Sequence, residues 1–533
     1  MTGLDPNVIA AFSKDHAIGR ILNDIRTDFI FAPQYKLLLD SIPDELWDEA
    51  TGQLRSGTYN PSSLLITAEV PKPSGMTRPR SILYPVDRLL YQAVGDHLAP
   101  LIDSQLDGTR VYSHRIAVPD PRFQMFDSRG ASYEEYKQQV IQLCSEGNFT
   151  HAIVADISSY FAHLNHHTLE NLLNAAGVPE GLVTLLVKTM LEMWSGRFSY
   201  GIPQGLFPSD LLGNFYLSAL DAFLASRGTP SLRYVDDLVL FYPAEDVARS
   251  SLVPLCRFLR GIGLDLNESK SAILSVESLI REQTELDKLF EAARQEIYEQ
   301  LQEADDVSAY GFQDPWEIEQ EEELLQLEAE SLALEQLWEQ RADIKRPKRD
   351  QLDKFCLGAF AGNRSDVAVS TVIVELGRNP HLTRTYCSYL ATFVRRNVEI
   401  QRALCRFLES DTCIYDWEMQ WPIAALLGVR TLPQSTINTA VAILADRRRS
   451  NELRAACALL IAKFGSGASR TILRGHWDTE DSDHVRSAMV FGTMFFGEAE
   501  RRVLLFHWGT QSPLFALIAK AVRKQLSAAS PGR

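Results

Sequence analysis

Two adjacent carboxylates, Asp236 and Asp237, stand inside the run Tyr234-Val235-Asp236-Asp237-Leu238-Val239-Leu240-Phe241. Leu232, Tyr234 and Val235 before them and Leu238 to Phe241 after them are apolar or aromatic, so the pattern predicts two strands joined by a tight turn with the acids at its tip. Burial penalises such a pair unless cations neutralise it, and a hard divalent ion such as Mg2+ does so through oxygen ligands. A second apolar run upstream, Ile153-Val154-Ala155-Asp156-Ile157, ends in a third carboxylate. Two-metal nucleotidyl transfer needs carboxylates that converge from different strands on ions about 4 Å apart, one activating a hydroxyl and one stabilising pyrophosphate. Asp156 and Asp236 are the expected bridging ligands and Asp237 the third, with Ile157 beside Asp156 in the metal-binding set. An ordinary Asp-Asp surface turn is the rival explanation for the octapeptide taken alone.

Other stretches must position these acids. Between them lies Gly201-Ile202-Pro203-Gln204-Gly205-Leu206, followed at helical spacing by Pro208, Ser209, Leu211, Asn214 and Leu217. Downstream comes Gly263-Leu264-Asp265-Leu266-Asn267-Glu268-Ser269-Lys270, and upstream Arg78-Pro79-Arg80-Ser81-Ile82 with Asp87-Arg88-Leu89-Leu90-Tyr91-Gln92-Ala93. The five ordered segments, over roughly residues 76–272, resemble the fingers and palm motifs of reverse transcriptases. The resemblance implies an α+β fold with a right-hand-like fingers and palm core.

It also implies roles. Phe161 resembles the ring that packs under the sugar, where a ribose 2'-hydroxyl would clash, which favours deoxynucleotides. Gln204 resembles the glutamine that contacts the incoming nucleotide, with Gly205 letting backbone approach closely. Arg78 and Arg80 are cations that match triphosphate oxygens through the guanidinium fork, and Lys270 holds the position of a proton donor to departing pyrophosphate. Each has a plainer rival: a core aromatic for Phe161, a turn residue for Gln204, a surface lysine for Lys270. Arg88 reads as a brace for template or protein, or as part of a solvated helix face.

The net charge of −16 is at odds with nucleic-acid chemistry when taken over the whole chain, yet it is local. Residues 277–343 hold 21 acidic and 4 basic side chains, leaving 48 acidic and 49 basic elsewhere. Within that stretch Glu317 to Glu323 precede Leu324, Leu327, Leu334 and Leu337 at helical spacing, which predicts an acidic helix with one apolar stripe, after a break over Ala304 to Trp316. From Asp350 onward apolar helices alternate with short polar turns, among them Asp366 to Leu376, Leu382 to Arg396, Glu399 to Glu409, Gln434 to Arg447, Asn451 to Phe464, His484 to Phe496 and Glu498 to Trp508. This texture resembles HEAT-like repeats, with a plain helical bundle as the alternative. The expected layout is fingers and palm over 1–275, an acidic helical linker over 276–349 and an all-α HEAT-like domain over 350–533. Arg447 to Arg449 with Trp417, Trp421, Trp477 and Trp508 could track single-stranded product by charge and stacking. Seven scattered cysteines without a C-x-x-C pair read as buried thiols in a reducing compartment. With no leader pattern and no run approaching 18 apolar residues, a cytoplasmic protein with no membrane contact is expected.

A palm followed by an acidic linker and α-repeats resembles the bacterial abortive-infection reverse transcriptases of the AbiK and AbiA type and the wider unknown-group defence reverse transcriptases. The resemblance implies protection against bacteriophage by DNA synthesis from dNTPs without a template, primed from a protein hydroxyl, in a homo-oligomer, with two Mg2+ ions or Mn2+ in their place. The product would be single-stranded DNA, covalently attached where the protein is the primer. Tyr35, Tyr59, Tyr133 and Tyr136 are the priming candidates. Three alternatives stay open: copying of a partner non-coding RNA, RNA synthesis on the same palm, against which Phe161 speaks, and a silent phage-sensing scaffold.

Overall fold

The computed structural model describes residues 4–62, 65–117, 123–306, 330–410 and 413–528. Two compact units result, one of Met1–Leu279, Tyr415–Gln420 and Leu432–Arg533, the other of Ile280–Ile414 and Trp421–Thr431. The units cut across chain order, so the helices from Leu432 onward share a core with the N-terminal segments.

The fold is α+β. In the larger unit a four-stranded antiparallel sheet has the order β4 (Ser231–Tyr234), β5 (Asp237–Tyr242), β3 (His151–Asp156), β6 (Ala272–Ser275). Leu238 to Tyr242 are all buried, as a central strand covered on both faces requires. Helix Glu245–Gly261 packs on β3, β5 and β6, and helix Arg129–Ser145 on β4. In β3, Ala152, Ile153 and Ala155 are buried while the strand ends at the half-buried Asp156. Sequence order and strand order differ, which is how Asp156 and the distant Asp236-Asp237 pair reach one edge.

A separate hairpin pairs β1 (Ile66–Pro71) with β2 (Thr77–Ile82), Val70 facing Arg78 and Ala68 facing Arg80. Alternate burial of Ile66, Ala68 and Val70 docks one face, and helix Asn451–Phe464 packs against β1. The 20-residue helix Pro85–Ser104 is largely buried and crosses helix Phe207–Tyr216 so closely that a Cβ on Gly95 would lie 2.9 Å from Pro208 Cβ. That approach seats the helix following the Gly-Ile-Pro-Gln-Gly turn.

The region from Lys348 is all-helical among the described residues. Helix Asn451–Phe464 keeps its expected ends, while Asp483–Gly492 gives way to a short 3-10 turn at Thr493–Phe495. Helices Asp483–Gly492 and Pro513–Ala528 pack on Pro33–Ser41. In the smaller unit Leu334 and Leu337 are buried, as an apolar stripe requires. Glu317 to Glu323, Leu324 and Leu327 lie outside the described residues, as does 307–316 of the expected break, whereas Ala304 to Asp306 end the helix Val276–Asp306. Among the described residues no helix is long and apolar enough to cross a membrane, and all seven cysteines are free.

Candidate active site

The β4–β5 turn consists of Val235 and Asp236, since Tyr234 pairs with Asp237 across it. Asp237 is in turn the cross-strand partner of Asp156. Val235 adopts a left-handed φ of +58°, a conformation that β-branched residues rarely take and that persists only when the surroundings enforce it. The enforcement is visible. Its N–H donates to Ser113 Oγ at 2.7 Å, and its carbonyl accepts from Arg233 Nη1 at 3.1 Å.

Arg233 is 1 % exposed and is satisfied by Asp221 through Nε (3.1 Å) and Nη2 (2.6 Å) and by Asn214 Oδ1 through Nη1 (2.6 Å). Asn214 closes the circuit by donating Nδ2 to the Ser113 carbonyl at 2.8 Å. The Ser and Asn of the palm helix are therefore buried braces: Ser209 meets the Tyr91 hydroxyl at 2.9 Å, and Asn214 ties the helix to the acidic turn. Sequence reasoning passed over Arg233, Ser113 and Asp221. The available signal was an arginine in an apolar strand, which burial obliges to find a carboxylate.

The segment ending in Lys270 folds back onto Asp156. Lys270 Nζ lies 2.9 Å from Asp156 Oδ1, Asn267 Nδ2 donates to Oδ2 at 2.9 Å, and Asn267 N to the Asp156 carbonyl at 2.8 Å. The other two acids have fewer counterweights. Loss of water and then the Asp156 charge raise the Asp236 carboxyl above its ordinary value, with Lys270 and Arg78 pulling back. Asp237 is pushed up to about 6 by desolvation, then by Asp236 and Asp156. Like charges confined together in this way suit divalent cations, and carboxylate oxygens are the donors such ions prefer. Among the described residues no three acidic, imidazole or thiol side chains are grouped so as to hold a metal ion, and the Asp156 carboxylate is bonded to Lys270 and Asn267. Ile157 is buried and forms a bridge with Leu266 on the same side of the strand end.

Cations line the approach from the β1–β2 hairpin. Arg80 is lowered to about 10 by burial and by repulsion from Arg78, with Asp210 and Asp236 opposing. Lys72 is lowered by burial, then by Arg78 and Lys270. The Gly-Ile-Pro-Gln-Gly turn abuts this hairpin: the Gln204 carbonyl accepts from Ser81 N at 3.3 Å, and a Cβ on Gly205, whose φ is +101°, would lie 3.7 Å from Arg80 Nη1. Phe161 is 8 % exposed, its ring against Tyr160 and close enough to Gly213 that a Cβ there would stand 3.0 Å away.

Other expectations change on contact with the structure. Arg88 does not face solvent; it is buried and paired with Asp28 (2.6 Å) and Asp24 (3.1 Å). Trp417, Trp477 and Trp508 are core side chains and offer no stacking surface, Trp421 is half-buried under Arg384, and Arg447, Arg448 and Arg449 pair with Asp481, Asp446 and Asp416. Of the tyrosines, Tyr35 is buried with its hydroxyl 3.0 Å from His484 Nδ1, Tyr59 is buried and donates to Asp87 Oδ1 at 2.9 Å, and Tyr136 is buried. Tyr133 is 44 % exposed, its ring 5.2 Å from that of Tyr234.

Residues 70–321 match the family model described as reverse transcriptase (RNA-dependent DNA polymerase). No curated relative matches the chain in sequence. Among solved structures, the chain is similar to the apo telomerase of Candida tropicalis truncated from its C-terminal domain, at 13% identity and a TM-score of 0.30 over 43% of this chain and 55% of that one. It is also similar to the telomerase of Candida albicans in complex with a TWJ fragment of telomeric RNA, at 12% identity and a TM-score of 0.30 over 69% of each chain. The chain thus spans little more than half of the first of these. The matched stretch contains the ordered motifs from Arg78 to Lys270.

Proposed function

We propose that this chain is a DNA polymerase of reverse-transcriptase type that acts in anti-phage defence, extending DNA from dNTPs without a template and from a protein hydroxyl. The observation that carries the polymerase reading is the meeting of Asp156 with Asp237 across the β3–β5 ladder, beside Asp236 on an enforced turn. Asp156, Asp236 and Asp237, with Ile157, would hold two divalent cations, Mg2+ or Mn2+, which supply activation of the attacking hydroxyl and neutralise the pyrophosphate. Arg80 and Arg78 bind the triphosphate, and Gln204 and Gly205 place the nucleotide against β2. Phe161 fills the space under the sugar, which favours the deoxy form. Lys270 Nζ, 2.9 Å from Asp156 Oδ1, is the proton donor within reach of the same carboxylates.

The defence role is supported by the layout, a reverse transcriptase domain followed by an all-helical region. We place the protein in the cytoplasm as a homo-oligomer. Tyr133 is the priming candidate that exposure favours. The family description favours a second reading, in which a partner non-coding RNA is the template. Purified chain given Mg2+ with each dNTP separately and with all four together tests both. Label that resists DNase-treated removal from the polypeptide until protease is added, with random or homopolymeric sequence and no bound RNA, is the expected result. A product complementary to a co-purifying RNA would replace it with the second reading, and absence of incorporation would refute both.

A further inference from the structure

The guanidinium of Arg80 is held by packing. Its Nε is buried without a hydrogen-bond partner among the described residues, and its Cζ stands 4.8 Å from the centroid of the Phe29 ring. Phe29 is itself fixed through its backbone. Its carbonyl accepts from Trp417 Nε1 at 2.7 Å and from Gln420 Nε2 at 3.3 Å, while Phe31 N donates to Gln420 Oε1 at 2.8 Å. Trp417 is 1 % and Gln420 0 % exposed. Two residues before Trp417, the Tyr415 hydroxyl donates to the Gly75 carbonyl at 2.6 Å, at the turn of the hairpin whose second strand carries Arg80. On the other side of Phe29, Asp28 accepts from Arg88 at 2.6 and 2.9 Å.

We infer that Tyr415–Gln420 is a positioning element for the nucleotide site, acting through Phe29 and the hairpin turn to set the Arg80 guanidinium where the triphosphate arrives. The inference rests on the proposed reading of Arg80 as a phosphate ligand. An arginine fork recognises phosphate only in a defined orientation, and an aromatic face is a means of fixing that plane without consuming its donors. The Phe29 platform leaves the terminal Nη1 and Nη2 groups for the ligand. Tyr415–Gln420 is short, and its chain neighbours on both sides belong to the second compact unit. A stretch outside the palm motifs thus completes the site.

The test uses the full chain. Affinity for dATP is measured by calorimetry with Ca2+, and KM and kcat for dATP incorporation with Mg2+, for wild type, Phe29→Leu, Phe29→Tyr and Trp417→Phe. Phe29→Leu and Trp417→Phe are expected to weaken dATP binding and raise KM by about five- to tenfold with kcat within about twofold, and Phe29→Tyr to restore both. In Arg80→Ala protein the same substitutions should change dATP affinity no further. Equal losses with and without Arg80, or a fall in kcat with KM unmoved, would overturn the inference. Phe29 is half-buried, so Phe29→Leu keeps the test open should Trp417→Phe fail to fold. Wild type that binds dATP without incorporating it refutes the polymerase reading and leaves this one standing, whereas failure to bind dATP refutes both.

Discussion

Arg233 reaches past its own carboxylate partner to donate, at 3.1 Å, to the carbonyl of Val235, the residue whose left-handed backbone turns Asp236 outward. Removing one member of a buried ion pair strands the other charge, at a typical cost of about 3–5 kcal/mol. Arg233→Ala should therefore lower the unfolding free energy by an amount of that order and abolish synthesis. Arg233→Lys keeps the charge and loses the fork, and should reduce kcat by more than its stability loss explains. A Ser113→Ala variant isolates the turn, because only the Val235 N–H loses its acceptor, at about 1–3 kcal/mol. Equal activity in Ser113→Ala and wild type would show that the turn needs no enforcement.

Asp236→Asn tests the carboxylate cluster. Burial and the Asp156 charge already disfavour the ionised form of Asp236, so a neutral isostere should leave the melting temperature unchanged or higher while incorporation falls by about two orders of magnitude or more. Thermal melts and dNTP incorporation on one preparation give the two readouts. Retained incorporation would remove Asp236 from the chemistry.

Arg88 should behave as a structural brace. Arg88→Ala removes the cation that the buried Asp24 and Asp28 share and should cost about 3–5 kcal/mol. The salt dependence of nucleic-acid binding should keep its slope, since no phosphate contact is lost. A shallower slope in a folded variant would return Arg88 to the nucleic-acid surface.

Glu452, 3 % exposed, is pushed up to about 7 by burial and then by Asp416 and Glu69. The folded state therefore keeps its proton more tightly than the unfolded chain, whose glutamates titrate near 4.5. The associated stability is fully present below pH 4.5 and is lost as pH rises toward 7, by up to about 3 kcal/mol. Glu452→Gln should flatten this part of the pH profile and stabilise the protein at pH 8, read by denaturant unfolding at pH 5 and pH 8. A variant less stable than wild type at pH 8 would show that the ionised form is favoured.

Phe161→Ala separates a sugar-sensing ring from a plain core residue. Either role loses about 3 kcal/mol of packing. Only the first also raises ribonucleotide use relative to deoxynucleotide, by about tenfold or more, in competition assays. Lost stability with unchanged discrimination would assign the ring to the core alone.

Periodicity and acid spacing made the palm sheet legible, because an apolar strand ending in a carboxylate has few stable alternatives to presenting that acid at an edge. The resemblance, not periodicity, implied that Gln204 and Arg80 share one neighbourhood, and the hairpin abuts the Gln204 turn. What stayed hidden were pairings between distant buried charges. The sequence offers Arg88 as a brace and shows Arg233 in an apolar strand, but local pattern carries no information about which partner, Asp28 or Asp221, arrives from elsewhere. Helical texture past Asp350 was equally plain, yet an amphipathic face does not state what it covers. Thus Trp417, read as a candidate stacking ring, lies in the core beneath Phe29.

The contacts between Pro33–Ser41 and the last helices bear on biosynthesis. Gln34 Nε2 reaches Ser487 Oγ at 3.3 Å across 453 positions of sequence, and Ser41 reaches Gln525 across 484. A nascent chain emerging from the ribosome must hold Pro33–Ser41 with an uncovered apolar flank until Asp483–Gly492 and Pro513–Ala528 have been made, the situation in which chaperones are engaged. Trimming the gene after the palm would leave that flank bare for good, so expression of the shortened product should end in inclusion bodies.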